Sequence, residues 1–121
     1  MPRNPIQLAL SMADIFQKKL GEDIVILDLR KESTVTDFFV ITTATSPAHA
    51  RALARVVQEQ LADAGVKPHH TEGEDYGQWI LLDYLDVVAH IFLGEIREFY
   101  GLERLWGDVP HRAIPNLPDH Q

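Results

Sequence analysis

Gln78-Trp79-Ile80-Leu81-Leu82-Asp83-Tyr84-Leu85-Asp86-Val87-Val88-Ala89-His90-Ile91-Phe92 reads QWILLDYLDVVAHIF. Two apolar runs rich in β-branched and aromatic residues meet at a polar corner, which is the pattern of a hairpin. Side chains alternate along a strand. With Asp83 set opposite Asp86 across a two-residue turn, Ile80, Leu82, Val87, Ala89 and Ile91 fall on one wholly apolar face, expected to cover a core. Trp79, Leu81, Asp83, Asp86, Val88, His90 and Phe92 fall on the other, with Trp79 opposite His90 and Leu81 opposite Val88. This register sets two carboxylates against each other, at a cost of up to about 1 kcal/mol. It also asks Tyr84-Leu85 to form a turn that prefers residues tolerant of positive φ. Either the turn is longer, or a partner makes use of Leu85.

Outward from the hairpin, the chain alternates helical and strand patterns. Asn4-Pro5 opens a first helix, with Asn as cap and Pro in the first turn. Ile6, Leu10, Ala13, Phe16 and Leu20 recur at helical spacing up to Gly21, the expected stop. Ile24–Leu29 reads as a buried strand and Val35–Ala44 as a second. Ser46-Pro47 begins a second helix, whose stripe of Ala50, Leu53, Ala54, Val57, Leu61 and Ala64 ends at Gly65. Val66–Thr71 is a weak third strand, placed at an edge because Pro68 removes a ladder donor. After the acidic loop Glu72–Gly77 and the hairpin, Glu95–Leu105 reads as a third helix. The order α-β-β-α-β-β-β-α implies an α/β domain with a mixed five-stranded sheet flanked by helices. Strand two, helix two and strand three read as a right-handed crossover. Residues 1–109 are expected to form a single domain. Residues 110–121, with Pro110, Pro115 and Pro118 and no periodicity, are expected to form a flexible tail.

Composition narrows the chemistry. A formal charge of −7 over 121 residues disfavours a bulk basic surface for nucleic acid and suits a basic protein partner. With no cysteine, disulfides and thiol catalysis are excluded. No apolar run approaches the roughly 18 residues of a membrane span, and no secretory signal is visible; a soluble cytoplasmic protein is expected. None of the six histidines shows helical zinc spacing, and Asp83 and His90 lie at opposite ends of their face, so no metal site is expected. Ser11, Ser33 and Ser46 lie in no nucleophile-elbow context. Thr42–Ser46 enters a helix N-terminus that could hold an anion, but without a glycine-rich loop; Ser46 is better explained as a cap. Two-metal transfer chemistry needs clustered carboxylates, whereas Asp28 and Asp37 stand singly. No catalytic residue and no cofactor are expected.

The segments DIVILDL (23–29), TDFFVI (36–41) with Thr45-Ser46, WILLD (79–83), DVVAHIF (86–92), REFY (97–100) and LERLW (102–106) together resemble the ribosomal silencing factor, or Iojap-like, family. The resemblance covers roughly residues 5–109. It implies a nucleotidyltransferase-like α/β topology without the catalytic signature. It further implies binding to the large ribosomal subunit through its fourteenth ribosomal protein, with steric block of small-subunit joining and repression of translation. Organellar relatives assist large-subunit assembly, and members tend to form homodimers. On this resemblance Trp79, Asp83, Leu85, Asp86, Val88 and His90 form the contact face, with the tryptophan as apolar anchor and the acids meeting Lys and Arg. Trp106, Phe99 and Tyr100 pack the last helix or serve a dimer. Two alternatives stand beside this: an assembly factor without silencing, and a nucleotidyltransferase-like enzyme. Many members have glycine where this chain has Leu85, which leaves the turn geometry open; Ala89 replaces a commoner valine.

Overall fold

The computed structural model describes residues 4–117. The two helix starts form as their sequences imply. The Ile6 N–H donates to Asn4 Oδ1 at 3.1 Å, and the His49 N–H donates to Ser46 Oγ at 3.0 Å, each with proline following the cap. Helix α1 spans Pro5–Lys18 and α2 spans Pro47–Asp63. α1 stops earlier than its apolar stripe suggested. Its left-handed residue is Leu20, at φ 65, rather than Gly21. Gly21 is required for another reason: a Cβ there would lie 2.6 Å from Thr42 Oγ1.

Six strands form one sheet: β1 (Glu22–Asp28), β2 (Phe38–Ala44), β3 (His70–Glu72), β4 (Trp79–Asp83), β5 (Val87–Leu93) and β6 (His111–Ile114). Their spatial order is β3-β4-β5-β2-β1-β6. β2 and β5 pair in parallel at the centre and every other pairing is antiparallel. β2 is covered on both sides, which explains the unbroken apolar run Phe38-Phe39-Val40-Ile41. β3 lies at an edge, as Pro68 suggested, but shrinks to three residues. The crossover from β2 through α2 reaches β3 at that edge, with β5 and β4 filling the gap between them.

Two expectations need correction. The sheet has six strands rather than five, because residues 111–114 of the expected flexible tail pair with Ile24–Leu27 of β1. The pattern hid this strand because His111, Arg112 and Ala113 are exposed at an outer edge and carry no apolar alternation. The segment is tied further by Gln17 Nε2–H to Pro115 O at 2.7 Å and by Asp23 N–H to Asn116 Oδ1 at 3.0 Å. Residues 118–121, the rest of that expected tail, lie outside the described residues. The second correction is at the last helix, which is broken. α3 (Gly94–Tyr100) and α4 (Leu102–Leu105) are separated by Gly101 at φ 59.

The two faces of the sheet are covered unequally, and this sets up the site. α1 and α2, with 14 and 17 residues, seal one face. There Met12, Phe16, Leu53, Val57 and Leu61 pack on Phe38, Val40, Ile80, Leu82, Val87, Ala89 and Ile91. The apolar hairpin face expected to cover a core does so. The opposite face has only α3 and α4, of 7 and 4 residues, together with the chain leading to β6. Its smaller core holds Val25, Leu27, Leu29, Ile41, Phe92 and Val109, with Phe39, Trp79, Ile96, Leu102 and Trp106 packed around it.

β4 is also pinned from its loop. Gly73 sits at φ 85, and a Cβ there would lie 2.0 Å from the Trp79 carbonyl oxygen. Gly73→Ala is therefore expected to destabilise the protein by about 2 kcal/mol or more, read as a lower urea midpoint.

Candidate functional site

The hairpin closes two residues away from the register that pairs Asp83 with Asp86. Trp79 lies across from Phe92, Leu81 across from His90, and Asp83 across from Val88. A shift of two keeps every side chain on its face, so the partition of the hairpin survives while the cross-strand partners change. The cause is at the corner. Tyr84 is a core side chain, not a turn residue, and its N–H donates to the Val87 carbonyl at 2.9 Å. The turn is thus Leu85-Asp86. The Leu85 N–H donates to Asp83 Oδ1 at 2.8 Å and the Asp86 N–H to the Tyr84 carbonyl at 3.0 Å. The second bond closes a three-residue γ-turn around Leu85, whose φ is 73. Asp83 therefore staples the corner instead of repelling Asp86. The Asp86 carbonyl accepts from the Asp37 and Phe38 N–H groups at 2.8 and 3.1 Å, which bolts the corner to the start of β2.

Across the sheet, residues on the thinly covered face line up in rows. His70, Asp83, Val88, Phe39 and Leu27 form the row nearest the corner, followed by Glu72, Leu81, His90, Ile41 and Val25, and then Trp79, Phe92 and Thr43. α3 and α4 cover the β1, β2 and Phe92 side of these rows, Tyr100 of α3 reaches Trp79, and the part of β3, β4 and β5 nearest the corner is left open. The result is an apolar strip of half-buried Phe39, Leu81, Val88, Trp79 and Trp106. Leu85 at 57% and Tyr100 at 53% exposure rise beside it. Asp83, Asp86, Glu72 and His70 form a polar rim, with His70 Nε2 and Glu72 Oε2 2.6 Å apart.

The six residues expected at a contact therefore sit at different depths. Leu85 and Asp86 are exposed, Trp79, Asp83 and Val88 are half-buried, and His90 is buried. His90 lies beneath the indole, and its Nδ1 accepts from Trp79 Nε1–H at 3.1 Å. Phe39 meets it edge-on at 4.5 Å and Phe92 stacks at 6.0 Å. Its Nε2 has no hydrogen-bond partner among the described residues. An unpaired buried donor costs about 1–3 kcal/mol. Trp79 is also held by Phe92 at 4.8 Å and by Tyr100 at 4.7 Å. Strand alternation shows which face His90 is on, but not that Phe39, Trp79 and Phe92 close around it. Phe39 joins the face through the parallel pairing of β2 with β5, whereas Leu81 was visible as a member of it. His70, Glu72 and Tyr100 were not, since they join it only through the β3–β4 pairing and the docking of α3.

Other chemical readings find little here. A hollow of about 590 Å³ at the carboxyl ends of β2 and β5 is lined by Thr43, Gly94, Arg97 and Glu103, among others. Of its two guanidinium groups, Arg97 donates to Glu103 at 2.8 and 3.0 Å and to Thr43 Oγ1 at 2.8 Å and holds the Glu103 carboxyl below the usual carboxylate range, while Arg104 donates to the Glu98 carbonyl at 3.3 Å. At the start of α2, Ser46 Oγ caps the helix, and the Thr45 N–H donates to His49 Nδ1 at 3.0 Å. Among the described residues no three His, Asp or Glu side chains are grouped to hold a metal. No helix there is long and apolar enough to cross a membrane.

The family profile described as "Ribosomal silencing factor during starvation" matches residues 2–121. The chain belongs to the ribosomal silencing factor family. A family member, ribosomal silencing factor RsfS of Bacillus subtilis, is 40% identical over 92 residues, covering 76% of this chain and 78% of that one. A crystal structure of a Chromobacterium violaceum protein superposes with a TM-score of 0.84 at 32% identity, covering 87% of this chain and 88% of that one. A mouse protein named mitochondrial assembly of ribosomal large subunit protein 1 is 31% identical over 101 residues, covering 78% of this chain and 43% of its own length.

Two stability predictions follow from the geometry. Leu85 holds a left-handed conformation that disfavours a side chain by roughly 1–2 kcal/mol, so Leu85→Gly is expected to raise stability by about 1 kcal/mol, seen as a higher thermal midpoint. Burial pushes the His90 imidazole down to about 4. An unfolded chain takes up that proton near pH 6.5, whereas the folded protein does not until about pH 4. His90 therefore removes stability as pH falls from about 6.5 towards 4, on the order of 2 kcal/mol at pH 5. Urea melts at pH 8 and pH 5 are expected to differ less for His90→Leu than for the wild type.

Proposed function

We propose that this protein docks on the large ribosomal subunit through the open β3-β4-β5 end of its sheet, and that its contact is the fourteenth large-subunit ribosomal protein. Bound there, it denies the small subunit its place and lowers translation. Family membership supports the ribosomal setting, and the thin cover over one sheet face supports the contact. One observation carries the reading. An exposed leucine is held at φ 73 on the corner of an apolar strip, where the fold gains nothing from its side chain. Strain of this kind concentrates at sites of function. The strip supplies apolar anchors, Trp79 and Leu85, inside an acidic rim, the form suited to a basic protein partner. His90 lies too deep for direct contact.

The mechanism is steric and uses no cofactor. In the hollow beside β2 and β5 Arg97 is committed to Glu103 and Thr43, and the carboxylates Asp23, Glu95, Glu98 and Glu103 outnumber the two arginines of the lining, which disfavours phosphate and favours a binding role over catalysis. Free in the cytoplasm, the protein pairs as a homodimer. Phe99 and Leu105, 78% and 74% exposed on α3 and α4, are the apolar surface available to a second copy. The name of the mouse relative favours a second reading, in which the same face serves large-subunit assembly without silencing.

Sedimentation separates these. Added protein is expected to co-migrate with large subunits and to shift assembled ribosomes towards free subunits; binding without that shift selects the assembly reading. Trp79→Ala is expected to weaken large-subunit binding by at least about 2 kcal/mol, with Leu85→Gly losing affinity despite its added stability. Affinity is expected to fall as salt screens the acidic rim. Wild-type binding by a folded Trp79→Ala would move the contact elsewhere.

A further inference from the structure

Trp79 is held from three sides, but only one contact is directional. Phe92 and Tyr100 pack against the indole at 4.8 and 4.7 Å and make it a slot. Such a slot can hold an indole in either of two flipped orientations, since the outer torsion of an aromatic side chain is broad and roughly two-fold. The bond from Trp79 Nε1–H to His90 Nδ1, at 3.1 Å, selects one of them. For Nδ1 to accept, the proton must sit on Nε2. That atom is buried and finds no acceptor among the described residues. A leucine would fill much of the space between Phe39 and Phe92 without leaving a donor unpaired. What the histidine adds is the acceptor for the indole.

We propose that His90 is a positioning residue for the docking face: from beneath the sheet surface it fixes the orientation of Trp79 through the Nε1–H to Nδ1 bond, and it does not touch the partner. The inference rests on the reading of Trp79 as the anchor. An indole already set in its bound orientation is not ordered at the moment of binding, so affinity gains by pre-organisation.

The test is a double-mutant cycle on the full chain with purified large subunits, alongside ¹H–¹⁵N NMR of the free wild-type protein. The NMR is expected to show the Nε2–H tautomer at His90 and a slowly exchanging Trp79 indole N–H. His90→Leu is expected to weaken binding about tenfold with no loss of thermal midpoint at pH 8. In a Trp79→Phe background, which has no indole donor, the same change is expected to cost nothing further. His90→Gln, whose amide oxygen can accept, is expected to recover most of the lost affinity. An Nδ1–H tautomer in the wild type overturns the proposal even if every variant fails to fold. So does wild-type affinity for His90→Leu, or an equal loss in the Trp79→Phe background. If Trp79→Ala weakens binding while His90→Leu does not, the docking reading stands and only the positioning role falls. If Trp79→Ala itself binds normally, both fall.

Discussion

The proposed docking face depends on an imbalance of cover. A sheet hydrophobic on both faces must bury both, and here one face receives two full helices while the other receives seven and four residues of helix. The second layer spans β1, β2 and β5, touches β4 where Tyr100 meets Trp79, and leaves the rest of β4 and β3 uncovered. The apolar strip beyond it is the sheet's own second core, left unfinished. An α/β sheet of this size has no need of such an opening for stability. A third long helix would close it and bury more apolar surface, at about 25 cal/mol per Å².

The open strip also carries two of the places where local rules are broken, Leu20 at φ 65 and Asp23 at φ 49 being others elsewhere in the fold. Leu85 occupies a turn position suited to glycine, and His90 buries a ring nitrogen with no acceptor. Both lie on one hairpin, one at its corner and one beneath its indole. Sequences that specify a fold usually agree with themselves at every level, and departures collect where function competes with stability. The remaining strand positions of the hairpin obey alternation, with Ile80, Leu82, Val87, Ala89 and Ile91 sealed in the main core.

Much of this is legible in the sequence. The cap-proline pairs Asn4-Pro5 and Ser46-Pro47 act locally, so they placed α1 and α2 directly. Alternation in QWILLDYLDVVAHIF separated the two hairpin faces because a period of two depends on nothing distant. Register was another matter. No residue type at Leu85 announces a left-handed turn, and the pull that sets the corner is the burial of Tyr84 against helices far away in the chain. Depth was hidden too, since the burial of His90 depends on how Phe39 of β2 and Trp79 of β4 close over it. β6 escaped because an exposed edge strand pairs through its backbone, and backbone leaves no mark in side-chain pattern.

That last strand bears on how the protein is made. Every other strand precedes β6 in chain order, and β1, which it closes, is the earliest of all. On a nascent chain emerging N-terminus first, β1 can find β2 early, yet its outer seam stays unzipped until residues 111–114 have left the synthesising ribosome. Exposed seams invite promiscuous strand addition. The flanking Pro110 and Pro115, with charged Arg112 between them, leave a zipped edge poorly suited to recruiting a further strand.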